Sequence, residues 1–230
     1  MIPGPVNLAV FFLCIVAGTA ALLAAKSKLL SVGVPVWLVV TGLAGWIGLV
    51  RDFQREPPPM VVLLFAAVVL TVVTAVSRVG SLLVAEAGIA WLVGVQAFRI
   101  AVEIFLDWGH RVDLVPVQMT FEGRNWDIVS GVSAAGVAWL VTNGRAPRWL
   151  ILLWNCVGLA LLLNIVVIAI LSMPTPMLRF HNRPANTFIS YFPYIWLPAF
   201  LVQLALFGHL LVFRWLRQAR TISRLPHFSA

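Results

Sequence analysis

The sequence predicts an all-α membrane protein, a single-domain polytopic bundle of about seven transmembrane helices. Three observations predict this fold. The 230 residues are 61% hydrophobic and only 10% charged, whereas soluble domains carry about a quarter charged residues. The mean hydropathy is +0.99. Apolar runs long enough to span a bilayer, about 20 residues each, recur along the whole chain.

The first four predicted helices are bounded by charges and prolines. The first run carries no charge, and Lys26 and Lys28 follow it, which predicts a retained helix with its N-terminus outside rather than a signal peptide. Three prolines at 57–59 end the loop after the second run, and Arg78 closes the third. The fourth run carries most of the intramembrane charge. These helices are expected at about residues 5–25, 29–50, 59–77 and 81–108.

The last three predicted helices follow a polar connection at residues 109–127. The sixth helix is uncharged but contains Asn155 and Asn164 on opposite faces. Pro193 and Pro198 interrupt the seventh and predict a kink, often found beside a cavity. These helices are expected at about residues 126–141, 149–171 and 187–213, followed by a basic cytoplasmic tail at 214–230.

The distribution of positive charge predicts the orientation. Nine Lys and Arg residues lie on the side of the first loop and the tail, against six on the other side, which are partly offset by acidic residues. The positive-inside rule then places the N-terminus outside and the C-terminus in the cytoplasm. The net charge of +8 is explained by helix ends that meet anionic lipid, so the lipid bilayer is the expected partner and nucleic acid is not.

Four polar residues mark the fourth helix as the candidate site. Gln96, Arg99, Glu103 and Asp107 are spaced by three, four and four residues, which puts them on one stripe of a helix. Charge inside a membrane segment is costly and usually faces a bundle interior or a water-filled cavity. The stripe therefore predicts an internal pocket.

Two polar loops are expected to join this stripe in one outward-facing, ligand-binding pocket. They are MTFEGRNWD after the fourth helix and HNRPAN before the seventh. Arg99 and Arg124 would meet an anionic part of the ligand, and Glu103 and Asp107 would set its protonation. The predicted pocket comprises Gln96, Arg99, Glu103, Asp107, Glu122, Arg124, Asn125, Asp127, His181 and Arg183.

Cysteine and histidine patterns give little support to a metal or disulfide. Cys14 and Cys156 both lie in apolar runs, and no CxxC motif exists. His110 and His181, with Asp107 or Glu122, could bind a divalent metal, but no HxxxH or HExxH spacing supports this. His209 is expected to be a hydrogen-bonded core or interface histidine, His227 lies in the tail, and the sequence names no cofactor.

Several functions are consistent with the candidate residues. The first is binding or transport of a small polar or amphiphilic ligand, such as a lipid headgroup. The second is an intramembrane lipid-modifying enzyme that uses Glu103, Asp107 and one of His110 and His181. The third is a scaffold subunit of a membrane complex or a homo-oligomer. In that case Arg99 and Glu103 would be an internal ion pair, and Glu122 and Asp127 would cap the next helix.

Several segments carry a resemblance to a known group. The runs FRIAVEI, VPVQMTFEGRN, LLWNCVGLALLLNIV and NTFISYFPYIWLPAFLVQLALFGHL resemble a group of small, uncharacterised bacterial multi-pass membrane proteins. The resemblance covers roughly residues 96–213. It implies a location in the bacterial inner (plasma) membrane, and it implies no activity, ligand or catalytic residue.

Overall fold

The computed structural model describes residues 4–222, with side chains described as far as Gln218. Within these residues every regular element is helical. Short 3₁₀ turns occur at Val95–Ala97, Val117–Met119 and Phe188–Ser190, and a π-turn at Leu197–Leu201 leads into the last helix. The α-helices are α1 Pro5–Ala24, α2 Lys28–Trp46, α3 Pro59–Val76, α4 Arg78–Gly94, α5 Phe98–Arg111, α6 Ile128–Thr142, α7 Arg148–Leu171 and α8 Val202–Ile222.

Six helical stretches within residues 4–222 are long and apolar enough to cross a membrane. They are α1, α2, α3, the stretch Arg78–Arg111 that contains α4 and α5, α7, and the stretch Leu197–Gln218. Helix α6 is apolar but has only 15 residues, which gives a length of about 22 Å. The structure thus confirms the predicted all-helical fold with several helices of membrane-spanning length.

The fourth predicted helix is interrupted twice. Gly88 has φ +71° and ψ 159°, a backbone conformation that breaks the helix and that other residues rarely adopt. A 3₁₀ turn at Val95–Ala97 then separates α4 from α5. The helix expected over 81–108 thus corresponds to α4 and α5, which begin at Arg78, end at Arg111 and are joined by the 3₁₀ turn. The second break places Arg99 in the first turn of α5.

The predicted seventh helix begins later than expected. Residues 187–196 contain only a 3₁₀ turn, and the π-turn starts beside Pro198. Two carbonyls of the π-turn accept hydrogen bonds from side chains. Gln203 Nε2 donates to Pro198 O at 3.0 Å, and Trp37 Nε1 donates to Ala199 O at 2.8 Å. Helix α8 then extends into the predicted tail as far as Ile222. Residues 223–230, with His227, lie outside the described residues.

The loops predicted on the outer side meet at one end of the bundle. Gln54, in the loop after α2, donates from Nε2 to Pro174 O at 2.7 Å, after α7. Asn182 donates from Nδ2 to Gln118 Oε1 at 3.2 Å, so the loop before α8 also contacts the connection between α5 and α6. These contacts bring together three loops that are far apart in the sequence.

Basic residues brace the opposite end. Arg214 of α8 donates from Nη1 to Ala75 O at 2.7 Å and to Ser77 O at 3.0 Å, where α3 gives way to α4. The Arg148 guanidinium, at the start of α7, lies 6.0 Å from the Trp215 ring centroid. The sequence places all of these residues on one side of the membrane, and the structure places them at one end.

Burial is concentrated in the stretch that contains α8. In the most apolar part of Leu197–Gln218, 61% of the residues are buried. The corresponding parts of α2 and α3 have only 17% and 22% of their residues buried. Helices α3, α4 and α7 pack against α8. The candidate site lies where α5, α7 and α8 meet.

Candidate functional site

The centre of the site is Arg99, which is 2% exposed. Its Nε donates to Asp127 Oδ2 at 2.6 Å, and its Nη2 donates to Asp127 Oδ1. Such a two-point contact between a planar guanidinium and a carboxylate is strong and directional. Nη2 also donates to the carbonyl of Gly158 in α7 at 3.3 Å. The pair thus joins α5 to the start of α6 and to α7.

The two structural roles considered from the sequence differ in detail from what is observed. Arg99 forms its ion pair with Asp127 rather than with Glu103 at i+4. Asp127 occupies the N-cap position of α6, but its side chain makes no capping hydrogen bond. Both of its carboxylate oxygens face the guanidinium instead, because an in-plane approach to Nε and Nη2 satisfies two donors at once.

His209 completes the cluster from α8. Arg99 Nη1 donates to His209 Nε2 at 2.9 Å, and a guanidinium N–H can only donate. Nε2 therefore accepts, and the ring proton lies on Nδ1, which donates to Asn155 Oδ1 at 2.8 Å. Asn155 Nδ2 returns a bond to the His209 carbonyl at 3.1 Å. We call Arg99, Asp127, Asn155 and His209 the arginine cluster.

A glycine lets α7 approach this cluster. A Cβ at Gly158 would lie 2.6 Å from His209 Cε1 and 3.3 Å from Ser130 Oγ. No real side chain tolerates the first of these distances, so the position needs glycine. Its close approach also brings the Gly158 carbonyl within reach of Arg99.

Glu103 lies beside the arginine cluster and is 5% exposed. Its Oε1 accepts from Asn125 Nδ2, and Asn125 Nδ2 also donates to Met119 O at 3.0 Å. The Asn125 Oδ1 accepts from the Asp127 backbone N–H at 3.1 Å, which links Glu103 to the cluster. Glu103 Oε2 has no hydrogen-bond partner among the described residues.

A cavity of about 70 Å³ adjoins these groups. Its polar lining comes from Arg99, Glu103 and Asp127, and the rest is almost entirely apolar. Most of the apolar walls belong to α3, α5, α7 and the stretch 197–205, and they include Leu64, Leu162, Ile165, Val166, Ile170 and Leu201. The polar residues are buried, whereas Leu64 and Ile165 are only half-buried. The cavity therefore has a polar inner end and an apolar side toward the surface between α3 and α7.

The remaining residues of the predicted stripe lie outside the cavity. Gln96 is fully buried and donates from Nε2 to Ala205 O at 3.0 Å, and its Oε1 has no partner among the described residues. Asp107 is half-buried and pairs with Arg111 at 2.9 Å. Glu122 is exposed, with an oxygen 3.9 Å from the same arginine.

Three further predicted residues lie at the surface. Arg124 is exposed, and its guanidinium lies 5.5 Å from the Phe180 ring centroid. His181 and Arg183 are exposed in the loop before α8. The structure thus brings Arg99, Glu103, Asn125 and Asp127 together. It does not bring Arg124 to Arg99, because one guanidinium is buried and the other is at the surface.

The predicted metal site lacks a set of ligands. His110 Nδ1 is hydrogen-bonded to Val115 O at 3.0 Å, and His181 is exposed. Among residues 4–222 there is no group of three or more His, Cys, Asp or Glu side chains that could hold a metal ion. The structure therefore gives no support to metal binding at His110 and His181.

Sequence reasoning missed Asn155, Gly158 and His209 as members of the site. All three lie in apolar helices and are far in sequence from the residues they contact. His209 and Gly158 are 110 and 59 residues from Arg99, and Asn155 is 54 residues from His209. For Asn155 and His209 the available signal was a polar residue within an apolar run, because such a residue must find a polar partner when it is buried. Gly158 gave no such signal.

A family model for a domain of unknown function, DUF8737, matches residues 57–217. The chain belongs to this family. The DUF8737 region contains α3 to α7 and most of α8, so it holds the whole arginine cluster and all of the cavity lining named above, whereas α1 and α2 precede it. No curated protein and no solved structure matches the chain.

Proposed function

We propose that the protein is a multi-pass membrane protein that binds the apolar chain of an amphiphilic ligand in the cavity beside Glu103. The observation that carries the proposal is an apolar cavity that ends at a buried carboxylate oxygen without a partner among the described residues. Buried polar groups are almost always hydrogen-bonded. A volume of 70 Å³ holds roughly five water-sized groups, which suits the head and first methylenes of a chain.

The route into this cavity would be lateral. The half-buried apolar residues of α3 and α7 lie on the side toward the surface, and a bilayer would cover that side with hydrocarbon. An alkyl chain could then remain in the bilayer while its head reaches Glu103. An open aqueous path would need polar walls, and the walls here are apolar.

The proposed topology has seven crossings, with α6 as the short fifth crossing. It places the N-terminus outside and the C-terminus in the cytoplasm of a bacterial plasma membrane. The grouping of the loops at two ends supports the alternation of crossings. The basic residues at the end that holds Arg148 and Arg214 support the orientation.

The described contacts favour binding over catalysis. A general acid or base must reach the reacting group with a free proton-accepting or proton-donating atom. Both oxygens of Asp127 bind Arg99, and both ring nitrogens of His209 are hydrogen-bonded within the cluster. Glu103 Oε2 meets this condition, but the enzyme expected from the sequence also needs Asp107 and either His110 or His181 beside it. Asp107 pairs with Arg111, His110 is bonded to a backbone carbonyl and His181 is exposed, and none of the three lines the cavity. A pure scaffold is also less well supported, because it would leave neither a cavity nor an unpaired carboxylate oxygen.

Photoaffinity labelling would test the cavity. The protein is reconstituted in nanodiscs of zwitterionic phosphatidylcholine and irradiated with a twelve-carbon alcohol that carries a diazirine in its chain. We expect label on peptides of α3 and α7 that contain Leu64 and Ile165. Ile165→Trp should fill the cavity and remove most of this label.

Leu163→Trp provides the matched control. It makes the same kind of change on the same helix, but Leu163 is 63% exposed and does not line the cavity. Label on α3 and α7 should therefore persist in this variant. Equal labelling of the wild type and Ile165→Trp would show that the alcohol marks only the lipid-facing surface, and the proposed function would be wrong.

A further inference from the structure

The polar end of the cavity is lined by three charged residues, Arg99, Glu103 and Asp127. Each of the three guanidinium nitrogens of Arg99 already donates to a protein acceptor, namely Asp127, Gly158 O or His209. An anionic head group would have to displace one of these bonds. The expectation from the sequence, in which Arg99 meets an anionic ligand, therefore does not fit the contacts of this residue.

The charge of Arg99 is also balanced within the protein. Asp127 binds it at two points and is itself buried, so the pair leaves no net charge. Arg124, the other arginine predicted for the pocket, is exposed at the surface. Glu103 therefore has no cationic side chain in hydrogen-bonding contact within the described part of the chain.

The Glu103 carboxylate is held in position by one oxygen. Asn125 donates to Oε1 and is fixed in turn by Met119 O and the Asp127 backbone, so the carboxylate has a defined orientation. Oε2 has no partner in residues 4–222, although the side chain is buried and lines the cavity. A carboxylate oxygen accepts hydrogen bonds, and in surroundings of low polarity it attracts a positive charge strongly.

Building on the proposed function, we propose that the ligand is a cationic amphiphile with a primary ammonium head, and that Glu103 Oε2 accepts a hydrogen bond from that head. The ammonium group supplies both the donor and the counter-charge that this oxygen lacks. The methylenes next to it would contact the apolar walls formed by α3, α5 and α7. A long-chain amine is the simplest molecule with these properties.

Competition against the photoaffinity alcohol would test the head group. Dodecylamine, dodecanol and dodecanoate share one chain and differ only in their heads. We expect dodecylamine to displace the label at a concentration about tenfold lower than either of the others, which is the range for a hydrogen bond that involves charged groups. Glu103→Gln keeps an oxygen for Asn125 but removes the charge, and it should abolish this preference.

Glu86→Gln is the matched control for the loss of one negative charge. Glu86 is exposed on α4 and does not line the cavity, so this variant should retain the preference for the amine. Any attraction of amines to the protein surface would decrease equally in both variants. An equal loss of preference in both variants would contradict the assignment to Glu103.

A second comparison needs no substitution. Dodecyltrimethylammonium carries the same charge as dodecylamine but has no N–H donor. We expect it to displace the label about tenfold less well than the amine. Equal displacement by these two cations would contradict the hydrogen bond to Oε2.

The remaining outcomes separate the two proposals. Equal displacement by dodecylamine and dodecanol, or better displacement by dodecanoate, would overturn the cationic head group. Binding in the cavity would still stand if Ile165→Trp continued to remove the label. If no amphiphile displaced the label and Ile165→Trp had no effect, the proposed function would fail and the head-group proposal with it.

Discussion

At the scale of single residues, Arg99 illustrates how a fully buried charge is accommodated between apolar helices. The cost of burying a charge is offset only when its donors are matched by acceptors and its charge by a counter-charge. Asp127 supplies the counter-charge, and His209 and the Gly158 carbonyl accept further bonds. The pair is therefore expected to matter more for stability than a pair at the surface.

Asp127→Asn should destabilise the protein strongly. It removes the carboxylate charge that binds the buried Arg99 guanidinium, and the loss of one partner of a buried pair costs about 3–5 kcal/mol. Thermal unfolding of the purified protein in detergent would measure the loss. Asp107→Asn is the control, because it breaks the partly exposed pair with Arg111 and should cost at most about 1 kcal/mol. Similar losses in the two variants would contradict the central role given to the buried pair.

Part of the site could be predicted from residue spacing. The intervals between Gln96, Arg99, Glu103 and Asp107 predicted one internal stripe. The first three side chains are buried, whereas Asp107 is half-buried and pairs with Arg111. The partners of Arg99 could not be predicted in the same way. Asp127 and His209 follow it by 28 and 110 residues, and no helical periodicity relates positions on different helices.

At the scale of helices, close packing of α7 against α8 depends on a missing side chain. Gly158→Ala would place a Cβ 2.6 Å from the His209 ring. Either α7 or the imidazole would have to move, which would weaken the bond between His209 and Arg99. We expect a destabilisation of about 1–3 kcal/mol, the usual cost of overpacking, measured by thermal unfolding in detergent.

Gly136→Ala is the matched control for helix propensity. Gly136 lies in α6 and is exposed, and a Cβ added there would meet no atom within 4 Å. Alanine at this position should be neutral or stabilising by up to about 1 kcal/mol. A Gly158→Ala variant as stable as Gly136→Ala would show that α7 does not need glycine at this contact.

The irregular parts of the helices were harder to predict than the helices themselves. Membrane helices are apolar on most faces, so hydropathy reports their existence but not their interruptions. Pro193 and Pro198 did signal an interruption, and the observed helix begins beside Pro198. Gly88 and the 3₁₀ turn at Val95–Ala97 gave no comparable signal, because glycine is common within membrane helices.

At the scale of the whole molecule, the proposed topology predicts which loops face the cell exterior. Cys14 and Cys156 are first replaced by alanine, and single cysteines are introduced by Glu122→Cys, Asn143→Cys and His181→Cys, all at exposed loop positions. A membrane-impermeant maleimide should label the first and third variants in intact cells. It should label Asn143→Cys only after the membrane is permeabilised.

Two pairs of these positions each test one crossing. Glu122 and Asn143 flank the short helix α6, and Asn143 and His181 flank α7. Labelling of Glu122→Cys and Asn143→Cys from the same side would mean that α6 does not cross. The reverse pattern in all three variants would keep the crossings by α6 and α7 and invert the orientation.

The arginine cluster also has a consequence for how the chain is made. Helix α5 is synthesised before α6, α7 and α8, and an arginine near the centre of an inserting helix costs about 2.5–3.5 kcal/mol. Its counter-charge arrives 28 residues later, and its histidine partner 110 residues later. Until α8 has been translated, Arg99 therefore lacks one of its acceptors. Helix α8 is translated after the other described helices and completes the cluster, so a nascent chain that stops before α8 leaves one nitrogen of Arg99 without its acceptor.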